Sequence, residues 1–468
     1  MKNNLMMKGS INMLKKIITV FLIIFFFSFS YIKTNGDNYI DNNNNNNEDS
    51  ITIESLIPKR GEQNIISTPE IKISYNCNHT LDNFKLFLNY KDVTKKTIVT
   101  SKYIYYKCDK KLKRGVQVVR LEFPNDSKTI EWYFTVGTPF YNHYRGVFFN
   151  NNNEFNIFTS YDDLNNFFKN TKHLDYAFIT EKFNNSSNKS NDIIINNKKW
   201  IKLVDCCKKH SDKGDFVSIP GFQLITNLSN EKNPTKINIF NCNNPFIFKD
   251  NISLDLFYKK LFYFQDDLLA QFKLDNNLSN INYFKYSSYG DEIISLIELK
   301  KDSNKNILNL DYYQEALDNG WHVSPITCEY NNYINSSATN NFITTILCED
   351  LSRSEILNAV KNRRIYVSEN RNIDINFTLN KMPMGSIIKK PSYIRIIASA
   401  IDNKGEEKIK KIEIYSNNNK IIYSKDFKSN FAKIDFTLKP PKKNTYYFAV
   451  ITEKNNKKSI TSPIWIEY

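Results

Sequence analysis

Histidine is scarce in this sequence, which has five among 468 residues. Four of them, His143, His173, His210 and His322, are too widely spaced to predict a shared metal site, and a solitary histidine is more often structural. Glycine is scarce too, with 12 residues. No G-x-G-x-x-G, Walker loop, G-x-S-x-G or H-E-x-x-H motif occurs. These absences exclude the usual signatures of dinucleotide-binding proteins, P-loop NTPases, α/β-hydrolases and zinc proteases.

The seven cysteines follow no zinc-binding spacing, and an odd number cannot all pair within one chain. Cys77 and Cys108 either bridge two strands of one sandwich or remain free thiols. Cys206 and Cys207 are adjacent on a predicted helix, and we expect them to be small buried residues.

Basic residues outnumber acidic residues, with 64 Lys and Arg against 49 Asp and Glu. The basic residues are scattered, and no nucleic-acid-binding module is recognisable, so we expect no specific nucleic-acid binding. A solvated lysine-rich surface accounts for the excess. Attraction to lipid headgroups or to an anionic cell-envelope polymer is the alternative.

Long hydrophobic runs are also lacking, apart from Ile17–Phe29, which follows several lysines. A basic segment followed by an apolar run is typical of an export signal. The run is shorter than the roughly 20 residues of a membrane-spanning helix. Residues 1–35 are therefore predicted to be a signal peptide or an N-terminal anchor, and 36–50 an asparagine-rich linker. We expect an extracytoplasmic protein that touches a membrane only through this segment, if it is retained.

Hydrophobic periodicity divides the rest of the chain into three parts. Short β-rich runs over 51–138 predict an immunoglobulin-like β-sandwich. Alternating strand-like and helical patterns over 139–371 predict parallel strands with crossover helices, including a helix opened by the capping box Ser352-x-x-Glu355. Residues 372–468 return to a β rhythm and predict a second sandwich. The predicted fold class is thus multidomain α/β plus β.

Ten short segments between residues 140 and 390 resemble, in order, the PHP (polymerase and histidinol phosphatase) superfamily, in its secreted branch of CehA/McbA-like metallohydrolases. The segments are Tyr144–Gly146, Thr159–Asp163, Leu174–Thr180, Gly214–Phe222, Ile237–Asn241, Asp291–Glu298, Ala316–Pro325, Leu351–Leu357, Asn362–Tyr366 and Met384–Ser386. The ending Ser462-Pro-Ile-Trp465 also resembles the C-terminal β module of that branch.

The resemblance implies a distorted parallel β/α barrel with a metal cluster at the carboxyl ends of its strands. Family members hold two or three divalent ions of the manganese, zinc or iron type through histidines and carboxylates. The metal-activated water then attacks phosphoester-type bonds.

This chain departs from the family at the metal ligands themselves. The ligand-equivalent positions are Asn156, Phe158, Glu181, Lys182, Gln223, Lys236, Leu274, Tyr330 and Asn332. Only Glu181 keeps a ligand-type side chain, because protonated lysine has no acceptor and apolar side chains cannot coordinate. We therefore expect no metal, no cofactor and no catalytic residue. The leading hypothesis is a pseudoenzyme that acts as a binding or structural module.

Two other hypotheses remain at this point. The first is an active metal-dependent hydrolase with a rebuilt site, which would use residues among Glu181, Asp275, Glu298, Glu329 and His322. The second is a polyanion-binding surface protein. In the vacated pocket, three positions have become lysine: Lys182, Lys236 and Lys273. If they converge, they either bind an anionic small molecule or are neutralised by carboxylates such as Glu181.

Overall fold

The computed structural model describes residues 51–59, 62, 65–76, 81, 83–123, 128–137, 141–151, 158, 160–183, 193–194, 198–229, 235–264, 267–274, 284–301, 308–330 and 342–468. The predicted export segment and linker lie outside these residues. Among the helices described, none has both the length and the apolarity needed to cross a bilayer. Strands dominate and form several sheets, in agreement with the expected α/β plus β class.

The N-terminal part consists of two antiparallel sheets that enclose one core. Its strands are β1 (Thr52–Ile57), β2 (Glu70–Asn76), β3 (Lys85–Leu88), β4 (Lys91–Asp92), β5 (Ile98–Val99), β6 (Tyr103–Lys107), β7 (Gly115–Phe123) and β8 (Lys128–Val136). They pair in the orders β1-β2-β6-β5 and β4-β3-β7-β8. In β2, Ile71, Ile73 and Tyr75 are buried while their neighbours are not, and they share a core with Leu121 and Trp132. The alternation predicted from the sequence thus produces two sheets packed face to face.

Cys108 in this part is buried and forms no disulfide with another described residue. Its candidate partner Cys77 lies outside the described residues, so the pairing of these two cysteines stays a prediction. Burial raises the pKa of the Cys108 thiol to about 11, so the group is protonated at neutral pH.

The middle part contains strands and the six α-helices found among the described residues. Its strands are β9 (Asn142–Asn151), β10 (Tyr176–Lys182), β11 (Ile193–Ile194), β12 (Val217–Thr226), β13 (Thr235–Phe240), β14 (Phe246–Ile247), β15 (Leu269–Phe272), β16 (Ile294–Glu298), β17 (Lys300–Lys301), β18 (Leu308–Asn309), β19 (Ser324–Ile326), β20 (Cys328–Tyr330), β21 (Ile343–Cys348) and β22 (Ile365–Ser368). The helices are α1 (Tyr161–Asn166), α2 (Lys198–Lys209), α3 (Leu254–Phe264), α4 (Ser288–Asp291), α5 (Asp311–Asp318) and α6 (Arg353–Lys361).

Local sequence signals account for several helix boundaries. Ser160 and Ser352 cap α1 and α6, because each side chain accepts a hydrogen bond from the backbone N–H three residues later. The Ser352 half of the predicted capping box is therefore confirmed. The apolar stretch from Leu254 to Phe272 divides into helix α3 and strand β15.

In the main sheet of the middle part, strand β9 has a parallel neighbour on each side. The order of the sheet is β19-β16-β15-β13-β12-β10-β9, and β20, which Thr327 alone separates from β19, pairs with β9. Apart from β13, these strands run in the same direction. Strand β13 is antiparallel to β12 and β15. The connection from Thr226 to Thr235 is shorter than the dozen or so residues that a crossover to a parallel strand requires. The expectation of parallel strands over 139–371 is therefore wrong for β13, and also for β21 and β22, since β21 pairs antiparallel with β9 and with β22.

The C-terminal part adds a second pair of packed sheets. Its strands are β23 (Ile373–Leu379), β24 (Met382–Pro383), β25 (Ile387–Lys389), β26 (Ile394–Asp402), β27 (Ile409–Ser416), β28 (Lys420–Ser429), β29 (Phe431–Leu438), β30 (Thr445–Glu453), β31 (Lys458–Thr461) and β32 (Ile464–Glu467). One sheet has the order β24-β23-β26-β29. The other continues the main sheet through β21-β22-β31-β30-β27-β28.

Strand β30 is buried on both sides. Its residues Tyr447, Ala449 and Ile451 belong to the C-terminal core, whereas Tyr446 and Phe448 belong to the core of the middle part. The alternation of side chains along one strand therefore joins the two cores.

Candidate functional site

The polar side chains at the carboxyl ends of the strands lie on one face of the main sheet. Directly opposed residues share a face, and the register pairs Lys182 with Gln223, Gln223 with Asn238, and Asn238 with Gln271. A second row, two residues away, pairs Asn150 with Thr180. We call the face that carries these residues the inner face.

Aromatic side chains fill the inner face towards the amino ends of the parallel strands. The rings of Phe148 and Phe178 stack at 4.4 Å between centroids, and Phe240 contacts Phe178 edge-on at 5.0 Å. Gly221 lies opposite Phe240, and a Cβ atom at Gly221 would come within 2.4 Å of that ring. The absence of a side chain at this position therefore lets the Phe240 ring cross the face.

Above this aromatic layer, four polar side chains form a buried hydrogen-bonded network. The Asn238 amide donates to Asn150 Oδ1 at 2.8 Å and to Gln271 Oε1 at 3.1 Å. The Gln271 amide in turn donates to Cys328 Sγ at 3.2 Å. All four side chains are at least nine-tenths buried, so the network is a fixed polar layer rather than a hydrated surface.

An ion pair lies beside this network. Lys273 Nζ is 3.5 Å from Glu298 Oε2, and the two side chains are only 6% and 3% exposed. Burial, with a further contribution from the Glu298 charge, raises the pKa of Cys328 to about 12. The thiol is thus neutral at physiological pH.

The three candidate lysines differ in exposure although the register places them along the same face. Lys273 is buried, Lys236 is half-buried and Lys182 is exposed. Lys236 is two residues before Asn238, and Lys273 is two residues after Gln271. The lysines thus range from buried to exposed at the end of the face where the parallel strands finish.

Glu181 lies on the opposite face of the sheet from Lys182, because successive strand residues point to opposite sides. Its carboxylate accepts a hydrogen bond from Asn151 at 2.5 Å and forms an ion pair with Lys199 of α2 at 2.5 Å. The expectation that Glu181 neutralises one of the three lysines is wrong. Glu298 has that role for Lys273.

The remaining sequence-predicted positions are only partly brought together. Gln223 is buried on the inner face, Leu274 is buried, and Phe158 packs against Phe167 at 5.2 Å between ring centroids. Tyr330 pairs with Asn150 through the backbone. The positions outside the described residues are Asn156, Asp275 and Asn332, and the side chains of Glu329 and Tyr330 are not described.

His322 lies at the amino ends of the parallel strands, just before β19. Its Nδ1 is 2.6 Å from Oδ2 of Asp291, and Asp291 lies just before β16. Glu298, by contrast, ends β16, and a five-residue strand spans about 16 Å. The structure therefore does not bring His322 to Glu181 or Glu298 in a rebuilt hydrolase site.

Asn150, Asn238, Gln271 and Cys328 were missed by reasoning from the sequence. The available signal was a polar residue that interrupts or ends an apolar strand, as Asn238 does in Ile237–Phe240. A second missed cluster comprises Asp162, Cys206 and His210. Its signal was the spacing of Cys206 and His210, four residues apart at the end of a predicted helix.

Comparison with known proteins gives partial sequence matches. The chain matches no known family profile. A protein of Chlamydia trachomatis serovar D is 31% identical over 143 residues, which is 27% of this chain and 22% of that protein. A protein of Chlamydia muridarum is 29% identical over 143 residues, which is again 27% of this chain and 22% of that protein. Both are uncharacterized proteins, and the match covers 22% of each relative's own length.

Similarity to solved structures is weak. A putative alpha-galactosidase of Bacteroides fragilis aligns over 89% of this chain and 98% of its own, with 11% identity and a TM-score of 0.24. Fibronectin(III)-like modules of Clostridium thermocellum CbhA align over 20% of this chain and 94% of their own, with 14% identity and a TM-score of 0.16. These scores carry no argument about fold or activity.

Proposed function

We propose that the chain is an extracytoplasmic, catalytically inactive member of the PHP superfamily that acts as a binding or structural module. In this proposal the closed strand path is the family's distorted β/α barrel. The N-terminal sheets are an immunoglobulin-like sandwich, and residues 372–468 are a second sandwich. Residues 1–35 direct export.

The order of the strands supports the barrel. Strand β9 pairs with β10 on one side and with β20 on the other, so the main sheet has no free edge at that point. Helices α2 and α3 pack on the face opposite the inner face, as in other β/α arrangements.

The buried ion pair of Lys273 and Glu298 is the main observation that supports catalytic inactivity. Both residues lie at the carboxyl ends of parallel strands, where the family would hold its metals. A protonated lysine has no lone pair for a metal, and its positive charge opposes the approach of a divalent cation. The other described polar side chains of this layer, the amides of Asn150, Asn238 and Gln271 and the Cys328 thiol, add no further carboxylate or imidazole of the kind that the family uses to hold its metals.

A phosphoesterase assay tests the inactivity. We expect the full chain, supplied in turn with manganese, zinc and ferrous iron, to hydrolyse bis(para-nitrophenyl) phosphate and para-nitrophenyl phosphate no faster than buffer with the same metal. A metal-dependent rate that the Glu298→Gln variant abolishes would overturn the proposal, since Glu298 would then be a working ligand.

The ligand class that best fits the inner face is an anionic small molecule or polymer segment. The face carries Lys182 and Lys236 beyond the polar network, at the carboxyl ends of β10 and β12, and ammonium groups are charge-assisted donors to oxyanion oxygens. Lys273 is paired with Glu298, and Lys182 and Lys236 bring two further ammonium groups to this face.

Thermal stability in phosphate and sulfate tests this ligand class. At ten times its dissociation constant, an anion that binds only the folded state stabilises it by about 1.4 kcal/mol. This corresponds to a rise in Tm of about 3–5 °C relative to chloride at equal ionic strength. Lys236→Met should abolish the rise, whereas Lys411→Met, which changes a half-exposed lysine of β27, should not. Equal loss in both variants would contradict a site on the inner face.

A further inference from the structure

Two short helices on the outside of the main sheet bring together three side chains of metal-binding type. Asp162 is in the first turn of α1, and Cys206 and His210 lie one turn apart at the end of α2. The His210 N–H donates to the Cys206 carbonyl at 3.0 Å, so the helical geometry continues through His210. Residues four apart on a helix share a face, and this face is turned towards α1.

The ligand atoms of these three residues form a compact group. One carboxylate oxygen of Asp162, the Cys206 sulfur and one His210 ring nitrogen all lie within 4.8 Å of one another. His210 Nε2 is 2.8 Å from Asp162 Oδ1. The group lies at a boundary between core and solvent, since Cys206 is 7% exposed whereas the Asp162 side chain is 45% exposed.

We propose that Asp162, Cys206 and His210 bind a divalent cation of the zinc class. Thiolate, imidazole and carboxylate together are the donors that zinc and cobalt prefer, whereas magnesium and calcium prefer oxygen alone. Three protein ligands leave the fourth tetrahedral position to a water molecule on the exposed side of Asp162. The thiolate and the carboxylate neutralise the cation, and the ion cross-links α1 to α2.

Neighbouring groups are consistent with this role. Asn165, one turn after Asp162, donates its amide to Cys206 Sγ at 3.6 Å, a contact that favours the thiolate over the thiol. Lys209 also contacts Asp162 Oδ1, at 2.7 Å, but its side chain is 69% exposed. A cation can displace this ammonium into solvent at little cost, because exposed ion pairs contribute at most about 1 kcal/mol.

Proton release accompanies the binding. Burial, assisted by the Asp162 charge, raises the pKa of Cys206 to about 11, so the thiol is protonated before the cation arrives. Formation of the metal–sulfur bond releases that proton to solvent, and the affinity therefore rises with pH. Cys207 is a matched control, since it is adjacent on α2 yet 1% exposed in the hydrophobic core.

Titration of the metal-free full chain with cobalt tests the site. We expect one equivalent to bind at pH 8 with a thiolate-to-cobalt charge-transfer absorption, and zinc to abolish that absorption by displacement. Cys206→Ala should lose the absorption, and Cys207→Ala should keep it. Asp162→Asn, a change in an exposed first turn that leaves folding intact, should weaken binding at least about tenfold.

Several outcomes would overturn the proposal. They are the absence of a charge-transfer absorption at one equivalent, its persistence in Cys206→Ala, or cobalt affinity unchanged in Asp162→Asn. If Cys206→Ala does not fold, the Asp162→Asn result decides alone. The outcome is independent of the proposed function, because the inner face lies on the other side of the sheet and contributes none of these ligands.

Discussion

Removal of one partner of the Lys273–Glu298 ion pair should destabilise the middle part of the chain strongly. Lys273→Met takes away an ammonium 3.5 Å from a carboxylate that is 3% exposed. Breaking a buried pair from one side costs about 3–5 kcal/mol, since the remaining charge stays desolvated. With a urea slope of about 3 kcal/mol per molar, the unfolding midpoint should fall by about 1–1.7 M.

The double variant Lys273→Met/Glu298→Gln removes both charges and keeps the side-chain volumes similar. Its cost should be below about 2 kcal/mol, much less than the sum of the two single changes. Urea unfolding followed by tryptophan fluorescence measures all three variants. Lys96→Met is the matched control: it breaks an ion pair with Asp109 whose side chains are 56% and 50% exposed, and it should cost less than about 1 kcal/mol.

The reasoning is refuted if Lys273→Met costs no more than Lys96→Met. The pair would then be solvated, and it could not serve as the group that replaces a metal centre. Additive costs in the double variant would equally show that Lys273 and Glu298 do not interact.

Three further predictions concern stability and export. Burial raises the pKa of Glu355 to about 7 from 4.5, so stability should fall by about 3 kcal/mol as pH rises from about 4.5 through 7; pH-dependent urea unfolding should show this slope lost in Glu355→Gln. Gly221→Ala should cost about 1–3 kcal/mol in the same assay, because its Cβ would lie 2.4 Å from the Phe240 ring. A reporter enzyme that is active only after export should be active when it follows residues 1–50 and inactive without them; equal activity would contradict the export signal.

Local patterns allowed much of the secondary structure to be predicted from the sequence. The run Leu174–Ile179 predicts a buried strand, and the structure has β10 over Tyr176–Lys182. Ser352 predicts the start of α6 through its capping side chain. These signals suffice because strand alternation and helix capping depend on residues close together in the chain.

The candidate site was less predictable because it depends on pairing between distant strands. Asn150, Asn238 and Gln271 belong to β9, β13 and β15, and only the register shows that they meet. Glu181 and Lys182 are adjacent in sequence but face opposite sides of the sheet. A one-residue difference in register decides which of the two reaches the inner face, and no local pattern fixes that choice.

The location of bound metal tests the central claim most directly. Crystals of the full chain, soaked separately in manganese and in zinc, should be measured for anomalous scattering at the corresponding absorption edge. We expect no anomalous peak within coordination distance of Gln271, Lys273 or Glu298 on the inner face with either metal. A peak there, with Glu298 as a ligand and Lys273 displaced, would contradict the account and restore a hydrolytic metal centre.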